Sequence, residues 1–138
     1  MISKEFMTAG KAIYTVNNDK GQHYTYKVDR KENRNGEGFI YFVSYLSGTD
    51  NENDYTYLGL LKDQTGEIVL TRGSKPSADS VVYKVAKWAT KIIWESKTIP
   101  EGYGINHAGC CGRCGRTLTT PKSIETGIGP ECSKKMAV

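Results

Sequence analysis

Four cysteines and one histidine crowd the last third of this chain, and their spacing is that of metal ligands. Cys111 and Cys114 enclose Gly112 and Arg113, and Gly115 follows, giving a Cys-x-x-Cys-Gly knuckle. Two residues between thiolates let both sulfurs reach one ion at about 2.3 Å. Gly112 and Gly115 supply the backbone freedom such a turn needs. Cys132 lies further on in Gly-Ile-Gly-Pro-Glu-Cys, and His107 stands four positions before Cys111. His107, Cys111, Cys114 and Cys132 together make a complete ligand set for one Zn²⁺. Cys110 is the alternative fourth ligand. It makes a poorer knuckle with Cys114, and the choice between His107 and Cys110 stays open on spacing alone. With all four tetrahedral positions filled by protein the zinc is structural, because a catalytic zinc keeps one position for water.

The signatures of common enzymes are missing. No His-x-Glu surrounds His107 and no Pro-Cys-x-x-Cys forms the knuckle, so the zinc deaminase pattern is absent. Gly102-Tyr-Gly-Ile-Asn-His107 precedes no helical pattern and is not a dinucleotide loop. There is no Walker motif and no Gly-x-Ser-x-Gly. The βαβ context of a thioredoxin-like Cys-x-x-Cys is also missing. The expectation is a protein that is not an enzyme, with no catalytic residues and no small-molecule substrate. The other histidine, His23, sits in a hairpin and is read as non-functional.

Something must carry these ligands. Short runs rich in β-branched and aromatic residues recur: 12–16, 23–28, 39–46, 55–61 and 68–71. Asn17-Asn-Asp-Lys-Gly21, Asn35-Gly36 and Asp63-Gln-Thr-Gly66 separate them as turns. Phe39–Leu46 is almost wholly apolar and reads as the central strand. Val81, Val82, Val85, Trp88, Ala89, Ile92 and Ile93 recur at helical spacing, which predicts a helix over about 78–96. Ser77 would be its N-cap, with Asp79 in the first turn. Pro100 and Gly102 end it, and 103–107 could be one more strand delivering His107. Gly129-Pro130 opens a helix over about 130–136 that places Cys132 in its first turn. The predicted fold is α+β: an antiparallel sheet of about five strands packed by one long helix, then a treble-clef-like zinc module. The division is 1–99 for the sheet and helix, and 100–138 for the module.

Composition agrees with a globular protein of 138 residues, 38% hydrophobic and 25% charged. Net charge is +4, and the last 32 residues hold five basic and two acidic groups. That bias is too mild for a strongly electrostatic DNA binder. The candidate partner-binding residues are Arg113 and Arg116 at the knuckle, Lys84, Lys87 and Lys91 along one side of the helix, and Asp50, Glu52 and Asp54 in a loop. The first residues lack the apolar core of a signal peptide, and no apolar run is as long as a membrane span. The expectation is a cytoplasmic protein without membrane contact. In a reducing compartment, clustered cysteines favour metal over disulfides.

The stretch from Cys111-Gly-Arg-Cys-Gly-Arg to Gly-Ile-Gly-Pro-Glu-Cys132 resembles a small zinc-finger domain of unknown function found in bacteriophage and mobile-element proteins. Residues 42–59 also resemble the region upstream of that finger. In that family a histidine commonly precedes the knuckle by four positions, where His107 stands, and the Cys110 position is not usually cysteine. The resemblance implies a phage accessory protein acting in the host cytoplasm. Small non-enzymatic phage proteins are often inhibitors of host defence, so it further implies a zinc-containing anti-CRISPR protein. That protein would bind a host protein, a Cas9-type CRISPR nuclease, by protein–protein contact. The alternative is a nucleic-acid-binding zinc-finger protein, with Arg113 and Arg116 on phosphates and strand tyrosines stacking on bases.

Overall fold

The structure is a computed structural model, and it describes residues 2–50 and 53–136. A short helix, α1 (Lys4–Met7), leads into β1 (Lys11–Asn18), β2 (His23–Glu32), β3 (Phe39–Leu46), β4 (Tyr55–Lys62) and β5 (Glu67–Val69). Helix α2 (Val81–Trp94) follows, then β6 (Tyr103–His107) and the short helices α3 (Pro121–Thr126) and α4 (Pro130–Met136). The strands form one antiparallel sheet in the order β5-β4-β3-β2-β1-β6. The meander therefore has a sixth strand. β6 returns from the far end of the chain to the edge beside β1, with Tyr14 opposite His107 and Val16 opposite Ile105. The division near residue 100 thus runs through a continuous hydrogen-bonded sheet.

Alternation along the strands sets two faces. Ala12, Tyr14 and Val16 of β1, Tyr26 and Val28 of β2, and Tyr41 and Val43 of β3 are buried on the inner face. Helix α2 covers this face. The Tyr26 hydroxyl donates to the Val82 carbonyl at 2.7 Å, and Tyr83 donates to the Ile68 carbonyl at 2.8 Å. Ala86, Ala89, Ile92 and Ile93 are the buried stripe of the helix, as its apolar periodicity requires. Tyr14 stacks on Tyr26, and its hydroxyl has no hydrogen-bond partner among the described residues. Burial raises the pKa of both phenols well above the ordinary range, so they stay neutral.

The helix is shorter than the periodicity suggested. It holds fourteen residues, about 21 Å, against the predicted span of 78–96. Its N-cap is Ser80, not Ser77. Ser77 to Ser80 form a turn instead: the Ser80 N–H and hydroxyl both donate to the Ser77 carbonyl, at 3.1 and 2.7 Å. The Ser80 side chain makes no capping bond to the following N–H groups, and Asp79 falls outside the first turn. Asn33 to Gly38, by contrast, form the expected turn, with Gly36 and Gly38 at positive φ.

Candidate metal centre

The C-terminal segment is built from turns and two short helices on the end of β6. The Cys111 N–H donates to the Arg116 carbonyl at 2.7 Å, and the Gly115 N–H donates to the Cys111 carbonyl at 2.9 Å, which closes the knuckle. Gly115 sits at φ +82°, a conformation that favours glycine. An isolated bridge between Cys110 and Thr117 flanks it. Helix α3 has a capping box: Thr120 accepts from the Ser123 N–H while Ser123 accepts from the Thr120 N–H, and Pro121 follows the cap. Gly127 ends α3 in the left-handed region. The chain then turns into α4, which carries Cys132.

These turns bring the side chains of Cys111, Cys114 and Cys132 together, with their sulfurs within 4.8 Å of one another. Three sulfurs at tetrahedral positions around zinc, each at about 2.3 Å, would lie about 3.8 Å apart. The observed cluster is compatible with that spacing, and the three cysteines can hold a metal ion. Cys111 is fully buried and Cys132 nearly so. The Cys111 sulfur accepts hydrogen bonds from the Gly129 N–H at 3.3 Å and the Arg113 N–H at 3.4 Å. Burial alone would push the Cys111 thiol up, but backbone N–H groups of Gly129, Cys114 and Arg113 outweigh it and bring it down to about 7. Cys132 moves the other way. Burial and the neighbouring thiols of Cys114 and Cys111 raise it, partly offset by the Arg113 side chain. The two sulfurs are thus biased in opposite directions, Cys111 toward the thiolate and Cys132 toward the thiol.

His107 and Cys110 lie outside this cluster. The His107 Nδ1 accepts from the Gly109 N–H at 2.9 Å, and its Nε2 faces the Ile124 carbonyl of α3. Both ring nitrogens thus face partners other than the three sulfurs. Its ring also lies 5.9 Å from that of Phe6. Cys110 lines a different cavity, on the far side of the sheet with Lys11, Lys27 and Tyr55.

The other candidates are scattered. Arg116 is exposed and borders a cleft of about 210 Å³ shared with Cys114, Cys132, Glu131 and Lys135. Arg113 is half-buried against the cysteines. Lys84, Lys87 and Lys91 are all exposed on α2. Lys84 borders a cavity of about 650 Å³ between α2 and the β1–β6 edge, beside Trp88 and Tyr103. Lys87 lies over the Tyr83 ring at 5.5 Å. Asp50 and Asp54 bind their own turn: Asp54 accepts from the Asp50 N–H at 2.9 Å, and Asp50 accepts from the Asn53 amide group at 2.9 Å. Glu52 lies outside the described residues.

One residue of this centre has no signal in its spacing. Phe6, from α1, is fully buried against the segment: a Cβ on Gly112 would lie 2.7 Å from its ring, and one on Gly127 would lie 2.5 Å away. Its partners lie more than a hundred positions along the chain. The capping box, by contrast, is readable as Thr-Pro-Lys-Ser.

Residues 106–137 match a family of unknown function, DUF6011. The match spans the end of β6, the knuckle and both terminal helices, and leaves the rest of the sheet outside it. No curated protein and no solved structure matches the chain. No helix among the described residues is long and apolar enough to cross a membrane.

Proposed function

We propose that this is a non-enzymatic, zinc-containing accessory protein of the phage type that acts in the host cytoplasm. Its target is a host defence nuclease of the Cas9 class, and it inhibits by protein–protein contact. The observation that supports a binding role is the close cluster of Cys111, Cys114 and Cys132, in which Cys111 is buried and accepts two backbone N–H bonds while Cys114 is exposed. One zinc there would serve as a staple in a treble-clef-like module and hold the surface around Arg113 and Arg116 in shape. Zinc supplies folding energy in such a site, and the protein supplies the contact surface. The nuclease target rests on the resemblance of the Cys111–Cys132 stretch to phage zinc fingers. The test is a cleavage assay with purified Cas9-type nuclease and guide. Suppression of cleavage, with co-elution of the two proteins, is the expected result. Full cleavage at saturating protein would overturn the reading.

A second reading, a nucleic-acid-binding zinc finger, is supported by Arg116 and Lys135, which border the same cleft as the cysteines. It predicts nucleic-acid binding that Arg113→Gln and Arg116→Gln weaken.

A further inference from the structure

The outer face of the sheet carries aromatic side chains among its basic and polar ones. By register, β1 contributes Lys11, Ile13 and Thr15 to this face, opposite Asp29, Lys27 and Thr25 of β2. β3 contributes Phe42, Ser44 and Leu46, and β4 contributes Tyr57 and Tyr55 opposite the last two. Helices α1 and α2 pack on the other face. Phe42 and Tyr57 form a ring pair at 6.2 Å, and the Tyr57 hydroxyl bonds the Thr71 hydroxyl at 2.8 Å, so these rings are fixed in place. The Lys27 ammonium lies over the Tyr55 ring at 4.9 Å, and that of Lys31 lies over the Phe42 ring at 5.6 Å. Against these, Asp29 meets Lys27 only at 3.8 Å, too long for a tight ion pair. Lys62 and Glu67 pair at the β4–β5 end of the same face, so lysines outnumber acids there by two. The face is hollowed into a cavity of about 640 Å³ bordered by Lys11, Lys27, Leu46 and Tyr55.

We propose that this open face binds single-stranded nucleic acid, with bases stacking on Tyr55 and Phe42 and phosphates meeting Lys11, Lys27 and Lys31. Flat rings offer a π-face to any base, and flexible ammonium groups parked on those rings can swing aside to the flanking phosphates. A duplex hides its base faces, so the surface favours single strands. Cys110 and Gly115 of the knuckle border the same cavity, but the three clustered sulfurs do not, and the proposal does not depend on the nuclease reading or on Arg113 and Arg116.

The test uses the full metal-loaded chain and fluorescence anisotropy with labelled oligo(dT) of about 15 nucleotides, alongside a duplex of equal length. The expected result is single-strand binding that outruns duplex binding and weakens steeply with salt. The double variant Lys27→Gln/Lys31→Gln should lose about tenfold in affinity at low salt. Tyr55→Leu should lose about fivefold or more, with its melting point recorded to confirm folding. Lys20→Gln/Lys97→Gln, two exposed lysines away from this face, serves as the control and should change nothing. The proposal is overturned by no binding at low salt, by duplex binding as tight as single-strand binding, or by binding that ignores Lys27 and Lys31 but falls with Arg113→Gln/Arg116→Gln. Loss of nuclease inhibition in the Lys27/Lys31 variant, without any oligonucleotide binding, would assign the face to a protein and equally overturn it.

Discussion

The sheet and the cysteine-bearing segment solve the same problem with different means. On the inner face Tyr14, Tyr26, Val28, Val43 and Leu58 are fully buried against a helix that adds Ala86, Ala89, Ile92 and Ile93. From Cys110 to Met136, the buried hydrophobic side chains are Cys111, Leu118, Ile128 and Cys132. Apolar burial worth about 25 cal/mol per Å² can order the first region. It cannot order the second, where two of those four groups are the thiols themselves. The difference teaches what a metal would have to do here: an ion held by the three sulfurs would take the place of a core, beside a Cys111 sulfur at which two backbone N–H groups already aim. The two regions are nonetheless joined, through β6 and through Phe6.

The largest test of this contrast is removal of the metal. Structural zinc contributes on the order of 10 kcal/mol in small modules. With a chelator, amide signals from 110–136 should collapse toward random-coil positions while those of β2, β3 and β4 keep their dispersion. Collapse of the whole spectrum would show a single cooperative unit and erase the contrast. Cys111→Ser, Cys114→Ser and Cys132→Ser should each mimic the chelator.

Phe6 tests the join. Phe6→Ala removes a fully buried ring from between the two regions, at a cost of about 3–5 kcal/mol. Denaturant unfolding should report that loss, and zinc should dissociate faster. An unchanged midpoint would mean that the segment does not need the seam.

Two glycines give a smaller and sharper comparison. Gly127 and Gly115 have nearly equal positive φ, +77° and +82°. Only Gly127 would press a Cβ against Phe6, while the nearest atom to a Cβ on Gly115 is a lysine methylene at 4.0 Å. Gly115→Ala should therefore cost about 1–2 kcal/mol from backbone strain alone. Gly127→Ala should cost more, and thermal melts of the two variants can be compared directly. Equal shifts would mean that the Phe6 contact contributes nothing.

The smallest effect separates the two leftover ligand candidates. His107→Ala and Cys110→Ser should both keep full metal stoichiometry by elemental analysis. His107→Ala should lose only about 1 kcal/mol, from its bonds to Gly109 and the Ile124 carbonyl. Loss of metal in that variant would restore His107 as the fourth ligand.

Much of this was legible in the chain. Period-two alternation and the glycine-bearing turns located β1 to β4, because burial on one face leaves that pattern behind. Spacing located Cys111, Cys114 and Cys132, because thiolates that share an ion must be near in space. The helix start was misplaced because Ser77 and Ser80 are chemically equal candidates, and a turn decided between them. His107 fitted the ligand spacing equally well. The fourth ligand stays open on spacing, and the structure sets the His107 ring nitrogens beside an α3 carbonyl and the Gly109 N–H. Phe6 was invisible because its partners are glycines, which leave no apolar pattern to match.

The place of β1 has a consequence for the order of events as the chain folds. β1 pairs on one side with β2, its neighbour in sequence, and on the other with β6, with Tyr14 facing His107. The first pairing closes a short hairpin, and the second must close most of the chain. Hairpins form in microseconds, while long-range pairings come late. The strand that leads into the cysteine segment should therefore dock late, whereas Cys111 and Cys132, 21 positions apart, can share an ion without that closure. Refolding should show the β1–β2 hairpin before β6, with the lag set by closure of that one edge.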